Sequence, residues 1–94
     1  MHVARMFYQL KIVEGYSVKD RRRVLRSLRE KLKRNFNFSV VMEEDPDTIN
    51  LMTIHIVQIN SQIKALDRSY ENCLELILSS QESELIHHEF TILE

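Results

Sequence analysis

Apolar and polar positions alternate with period two from Met1 to Val13. Ala4, Met6, Tyr8, Leu10 and Ile12 fall on one side, and Arg5, Gln9 and Lys11 on the other. Such alternation predicts a strand with one buried face. Phe7 is the exception, large and apolar on the mainly polar side. Glu14-Gly15-Tyr16 interrupts the pattern, and the chain's only glycine suits a turn that needs positive φ. From Ser17 the period becomes helical, with Val18, Val24, Leu25, Leu28 and Leu32 within about one third of the wheel. Ser17-Val18-Lys19-Asp20 fits a capping box in which Asp20 reaches back to the Ser17 backbone N–H. The helix is expected to end near Asn35.

Period two returns over Phe36 to Met42, with Phe36, Phe38, Val40 and Met42 on one side. Glu43-Glu44-Asp45-Pro46-Asp47 holds the only proline and reads as a polar turn. From Asn50 to Ile59, Met52, Ile54 and Ile56 alternate with Thr53, His55 and Val57, an outward side that is itself partly apolar. Asn60 or Ser61 is the expected cap of a second helix, whose stripe of Ile63, Leu66, Tyr70, Cys73, Leu74 and Ile77 steps by three and four. Leu85 to Leu93 completes the set as a strand, with Ile86, Phe90 and Ile92 on one side and Leu85, His87, Glu89 and Thr91 on the other. The order strand, helix, strand, strand, helix, strand predicts an α+β chain. Its expected form is a ferredoxin-like βαββαβ split sandwich, a four-stranded antiparallel sheet with two helices on one face. Residues 1–94 read as a single domain of this kind.

Charge changes this picture more than composition does. The net charge is −1, yet Ser17 to Arg34 holds nine of the thirteen basic residues against Asp20 and Glu30. That is a balance of +7, so the remaining four cations and twelve anions stand at −8. One face of the molecule is therefore expected to be basic and the others acidic. A hydrophobic fraction of 44% places the chain among ordinary globular proteins. Cys73, without a second cysteine to pair with, fits a reducing compartment. The opening residues have neither the cationic start nor the small-residue cleavage site of a signal peptide. No apolar run approaches the roughly 20 residues that span a bilayer. A cytoplasmic location without membrane contact is the expectation.

The chain resembles the YlxP-like family, small bacterial proteins classed as domain-of-unknown-function family 503. The residues that carry the resemblance are Ser17-Val18-Lys19-Asp20-Arg21-Arg22-Arg23-Val24-Leu25-Arg26-Ser27-Leu28 and Phe36-Asn37-Phe38-Ser39-Val40. The resemblance implies the ferredoxin-like fold, no established activity, and an association with translation and ribosome-maturation genes. The chain departs from the family pattern at Met42 and Ile49, where the family tends to have an acidic residue and a tryptophan.

The basic helix is the leading candidate site. Lys19, Arg22, Arg23, Arg26, Arg29 and Lys33 share the face away from the apolar stripe. Lys19–Arg23, Arg22–Arg26 and Arg29–Lys33 are like-charge i,i+4 pairs, each unfavourable by about 0.2–0.5 kcal/mol. Cations in the first turn also oppose the helix macrodipole. A surface arranged at that cost suits phosphate binding, so RNA or a ribosome is the expected partner. The competing reading is a solvated face whose cations pair with acidic groups elsewhere. Arg21 lies within the apolar arc, and its expected role is to reach a carboxylate of Glu14, Glu43 or Glu44.

The sheet face away from the helices is expected to show Phe7, Val41, His55, Val57, His87 and parts of Leu85. A half-apolar face of this kind predicts a homodimer or another protein partner, with Phe7, His55 and Val57 at the interface. A base-stacking platform on the two central strands lacks its aromatic pair, since Thr53, His55 and Val57 stand where rings belong. The acidic run from Glu43 to Asp47 lacks the glycine and spacing of a calcium loop. His87 and His88 point to opposite faces, and His55 and His87 are separated by the expected strand order, so no metal site is expected. Cys73 reads as a small core residue. No cofactor motif and no base–orienter set around the serines suggest an enzyme.

Overall fold

A computed structural model describes residues 1–13, 17–35, 39–45, 47, 48 and 50–94. The elements are β1 (His2–Ile12), α1 (Val18–Asn35), β2 (Ser39–Glu44), β3 (Leu51–Asn60), α2 (Ile63–Leu78) and β4 (Ser83–Ile92). The strands form one antiparallel sheet in the order β2-β3-β1-β4. Both helices lie on one face of it, which is the ferredoxin-like arrangement the alternation predicts. The expected Phe36 and Phe38 positions, the Gly15 turn, Pro46 and Ile49 lie outside the described residues.

β1 is the centre of the molecule because both of its sides are paired and one of its faces is fully covered. Ala4, Met6, Tyr8, Leu10 and Ile12 are all 0% exposed. Met52, Ile54 and Ile56 of β3 join them, so the even-numbered residues of the two central strands floor a single core. Val24, Leu28 and Leu32 of α1 and Leu66, Tyr70, Cys73 and Ile77 of α2 close it from above. The Tyr8 hydroxyl donates to the Tyr70 carbonyl at 2.9 Å, and the two rings stack at 5.6 Å, which ties β1 to α2 through a satisfied buried polar group.

The capping box at α1 forms as expected. Asp20 N–H donates to Ser17 Oγ at 3.2 Å, and Ser17 N–H donates to Asp20 Oδ2 at 3.3 Å. The Ser17 hydroxyl also donates to Asp20 Oδ2 at 3.0 Å, and this bond, ahead of the one from the Ser17 backbone N–H, holds the Asp20 carboxyl below its ordinary range. Val18 departs from the wheel. It is 53% exposed, because a wheel has no axial coordinate and the first turn lies outside the core that Val24 begins. At α2 the N-cap is Gln62, with no side-chain cap bond, rather than Asn60 or Ser61. Asn60 instead accepts the Gln62 N–H at 2.9 Å, turning the chain just before the helix starts. Ile63 lies outside the core for the same axial reason as Val18.

Two registers correct the expected faces. β2 runs through Glu44, so Glu43 and Glu44 belong to a strand, and the described residues that follow it before β3 are Asp45, Asp47, Thr48 and Asn50. Asp45 Oδ1 accepts the Asp47 and Thr48 N–H groups at 2.8 and 3.2 Å, an Asx turn. Asn50 takes the left-handed conformation at φ 73°, which asparagine tolerates, and its carbonyl accepts the Ile12 N–H. On β4 the pairing with β1 shifts between Gln9 and Leu10. Beyond the shift Leu85 pairs with Leu10 and packs on the core, while Ile86 is 50% exposed. One extra residue thus reverses the expected sides of Leu85 and Ile86.

Leu32, with no exposed surface, anchors α1, and Leu32→Ala should lower unfolding free energy by about 2–5 kcal/mol in urea titration. Burial pushes the Cys73 thiol up to about 12 and raises the Tyr8 hydroxyl further. These groups keep their protons in the folded chain after the unfolded chain has released them. The stability they hold is full below about pH 8.5, the ordinary thiol value, and is lost as pH rises toward 12. Native Cys73 should therefore resist thiol reagents at pH 8 and react at the global unfolding rate, with urea midpoints falling above pH 9.

Candidate functional site

α1 places its six candidate cations as the sequence predicts: Lys19, Arg22, Arg23, Arg26, Arg29 and Lys33 are all exposed. Arg23 is set apart from the rest. Its Nη2 donates to Glu82 Oε2 at 2.8 Å, joining α1 to the turn before β4. Among the described residues no ion pair engages Lys19, Arg22, Arg26, Arg29 or Lys33, and Glu30 forms none with Arg26 or Arg34. The first two turns border an open concavity of about 590 Å³ lined by Val18, Lys19, Asp20, Arg22, Arg23 and Arg26. Exposed Val18 thus sits among cations rather than against the sheet.

Arg21 is only 15% exposed, with its Nε 3.6 Å from Glu44 Oε1. Of the three expected partners, Glu44 is therefore the one in place, while Glu14 lies outside the described residues. The distance exceeds a hydrogen bond, and Nε has no such partner among the described residues. The pair borders a hollow of about 410 Å³ formed with Asp45, Thr48, Asn50, Leu51 and Met52 at the β2–β3 end.

Strand alternation divides the acidic run by function. Glu44 faces the helices and meets Arg21. Glu43 faces the open side and accepts from His55, Nε2 to Oε1 at 2.7 Å. Asp45 organises the turn. On the same open face His87 Nε2 lies 3.0 Å from Glu89 Oε1. Between the two histidines stands Phe7, with ring centroids 5.5 Å from His55 and 5.8 Å from His87. The Arg5 guanidinium carbon lies 5.9 Å from the Phe7 centroid. Val41, Val57 and Ile59 add apolar surface to this face, at 60%, 45% and 62% exposure.

His88 points the other way, as expected, and hydrogen-bonds through Nδ1 to the Tyr70 hydroxyl. Burial, ahead of Glu71 and Glu89, raises the Tyr70 hydroxyl above its ordinary value. The strand order does separate His55 from His87, and among the described residues no group of three or more His, Cys, Asp or Glu side chains could hold a metal ion. Sequence reasoning missed the Arg23–Glu82 bond and the His55–Phe7–His87 row. Both join residues more than 30 positions apart, and only the strand register reveals them. No described helix is long and apolar enough to cross a membrane.

Comparison with known proteins adds the fold and a family. The family model described as "Protein of unknown function (DUF503)" matches residues 3–90. No curated protein matches the chain. Among solved structures, SnoaB, a cofactor-independent oxygenase from Streptomyces nogalater, is similar with a TM-score of 0.64 at 10% identity, over 97% of this chain and 92% of that one. A putative antibiotic biosynthesis monooxygenase from Chloroflexus aurantiacus gives 0.62 at 14% identity, over 96% and 91%. The de novo designed protein Foldit4 gives 0.56 at 18% identity, over 97% of each chain. At such identities these likenesses show the fold alone, and a designed protein among them underlines how little chemistry the fold carries by itself.

If Arg21 is a scaffold residue, Glu44→Gln should cost about 0.2–1 kcal/mol in urea titration and leave polyanion affinity unchanged. A loss of affinity larger than twofold would place Arg21 in a binding site instead.

Proposed function

We propose that this chain, which belongs to the DUF503 family of proteins of unknown function, is a non-enzymatic module that binds RNA or a ribosomal RNA surface through the outer face of α1. The observation that carries this reading is the uneven use of the acidic residues. Glu44 and Glu82 meet Arg21 and Arg23, while Glu43 and Glu89 meet histidines on the far side of the sheet. Lys19, Arg22, Arg26, Arg29 and Lys33 are left facing solvent on the outer face of α1 without an ion pair among the described residues. Lys19 to Lys33 spans about 21 Å at 1.5 Å per residue, long enough to follow several phosphates of one strand. The binding mode is phosphate neutralisation with little base readout from this helix.

Meeting about five phosphates gives a log–log salt slope near −4.5, a fall of several hundredfold in affinity between 50 and 200 mM salt. Fluorescence anisotropy with a short RNA duplex measures this. Arg22→Glu/Arg26→Glu should flatten the slope by about two phosphates' worth and weaken binding at low salt. Lys64→Glu/Arg68→Glu on α2 makes the same change in net charge and should have a much smaller effect. Equal effects from the two doubles, or a salt-insensitive affinity, would remove the assignment to α1.

A further inference from the structure

The open sheet face has two ends of different character. At one end Val3, Val57 and Ile59 form a continuous apolar stretch, since Val3 pairs with Ile59 and Val57 lies one strand repeat away beside Arg5. Val57 and Ile59 are 45% and 62% exposed, and the Leu93 N–H donates to the Val3 carbonyl, which brings a further exposed leucine to this end. Phe7 stands at the middle, with Val41 beyond His55 in the same row. Towards the other end Gln9 pairs with Thr53, and Lys11 pairs with Leu51 and Glu84. Glu43, Glu84 and Glu89 outnumber Arg5 and Lys11 on this face, so it does not suit a polyanion. His55 and His87 already hold hydrogen bonds to Glu43 and Glu89, so covering the face leaves neither imidazole without a partner.

A second copy of the chain complements this face row by row. Sheets that pack face to face keep their strands within about 30° of one another and about 10 Å apart. A two-fold axis parallel to the strands, midway between β1 and β3, meets that condition. It sets β1 over β3 of the second copy and β2 over β4, and it keeps each row at its own height. The register then fixes the contacts. Val3 meets Ile59 of the second copy, Phe7 meets His55, Gln9 meets Thr53 and Glu43 meets His87, each contact occurring twice. Arg5 lies over Val57 and Lys11 over Leu51, so their stems cover apolar surface and no two like charges face each other. An axis across the strands at Phe7 would instead set Glu89 against its own counterpart and Val3 against Lys11. Four strands about 4.8 Å apart and ten residues at about 3.4 Å give a footprint of about 600 Å² per copy. The total of about 1,200 Å² stands at the lower end of the range for specific interfaces.

We propose that the open sheet face docks a second copy of the chain, with the two-fold axis parallel to β1 and β3 and the stretch of Val3, Val57 and Ile59 closed against its own counterpart. The dimer does not depend on RNA binding by α1, which lies on the opposite side of the sheet and stays exposed. The pair carries its two basic helices on opposite outer faces, so an RNA-binding α1 would hold two separate segments at once. Sedimentation equilibrium from about 10 to 500 µM tests the proposal for wild type, Ile59→Glu, Val57→Glu and Lys64→Glu/Arg68→Glu on α2. The wild-type mass should rise from 11.3 kDa toward twice that value, with a dissociation constant of about 1–100 µM. Ile59→Glu and Val57→Glu sit at exposed positions that a single folded copy tolerates, and each should weaken the dimer at least about tenfold. The α2 double should leave it unchanged. A charge exchange reads the axis: Glu43→Arg and His87→Glu should each weaken the dimer, and both in one chain should restore it to within about threefold. A mass that stays at one chain up to about 500 µM would overturn the proposal, and the face would belong to RNA if Ile59→Glu then lowered RNA affinity. A dimer that both apolar variants leave intact would overturn it as well, as would a charge-exchanged chain that associates no more tightly than its single variants.

Discussion

The buried side of β1 is the constraint on which the other features depend. Five side chains without exposed surface, from Ala4 to Ile12, must all point to one side, and both flanking strands must pair with the backbone between them. This fixes the parity of the sheet: a residue faces the helices or the open side according to its partner on β1. A slip of one position on either neighbour would turn its whole apolar set to solvent. Parity therefore decides the surface as well as the core. Phe7, an odd-numbered apolar residue between Met6 and Tyr8, has no place inside and is displayed by the same rule that buries its neighbours.

The charges follow from that parity. Glu43 and Glu44 are adjacent and chemically alike, yet one restrains an imidazole on the open face and the other accompanies the largely buried Arg21 of α1. Glu82 and Glu89 are likewise held near their own partners at the β4 side. The −8 balance of the remaining chain is thus dispersed by the strand geometry, and the outer face of α1 keeps its cations. The like-charge neighbours within the helix persist as a local cost, which the apolar anchoring by Val24, Leu28 and Leu32 offsets.

The exceptions to the alternation show where local pattern loses to tertiary context. Val18 and Ile63 fit their apolar arcs, but each sits in a first turn beyond the core, and an angular description carries no axial limit. Leu85 and Ile86 exchange sides because the irregularity at Gln9/Leu10 inserts one residue into the count. Asn60 turns the chain ahead of α2 while Gln62 occupies the cap, a shift of two residues that composition does not distinguish.

By itself the sequence determined the elements, their order, the core stripes, the capping box at Ser17 and Asp20, and the concentration of cations on one side of one helix. All of these depend on periods of two or 3.6 residues and on neighbours within four positions, which the chain displays directly. Only the tertiary structure decided that Arg21 meets Glu44, that Arg23 is held by Glu82, and that Phe7 stands between His55 and His87. Those pairings span 23, 59, 48 and 80 positions respectively. They depend on which strands are neighbours and in what register, quantities that the cooperative closure of the whole sheet sets and no local pattern records.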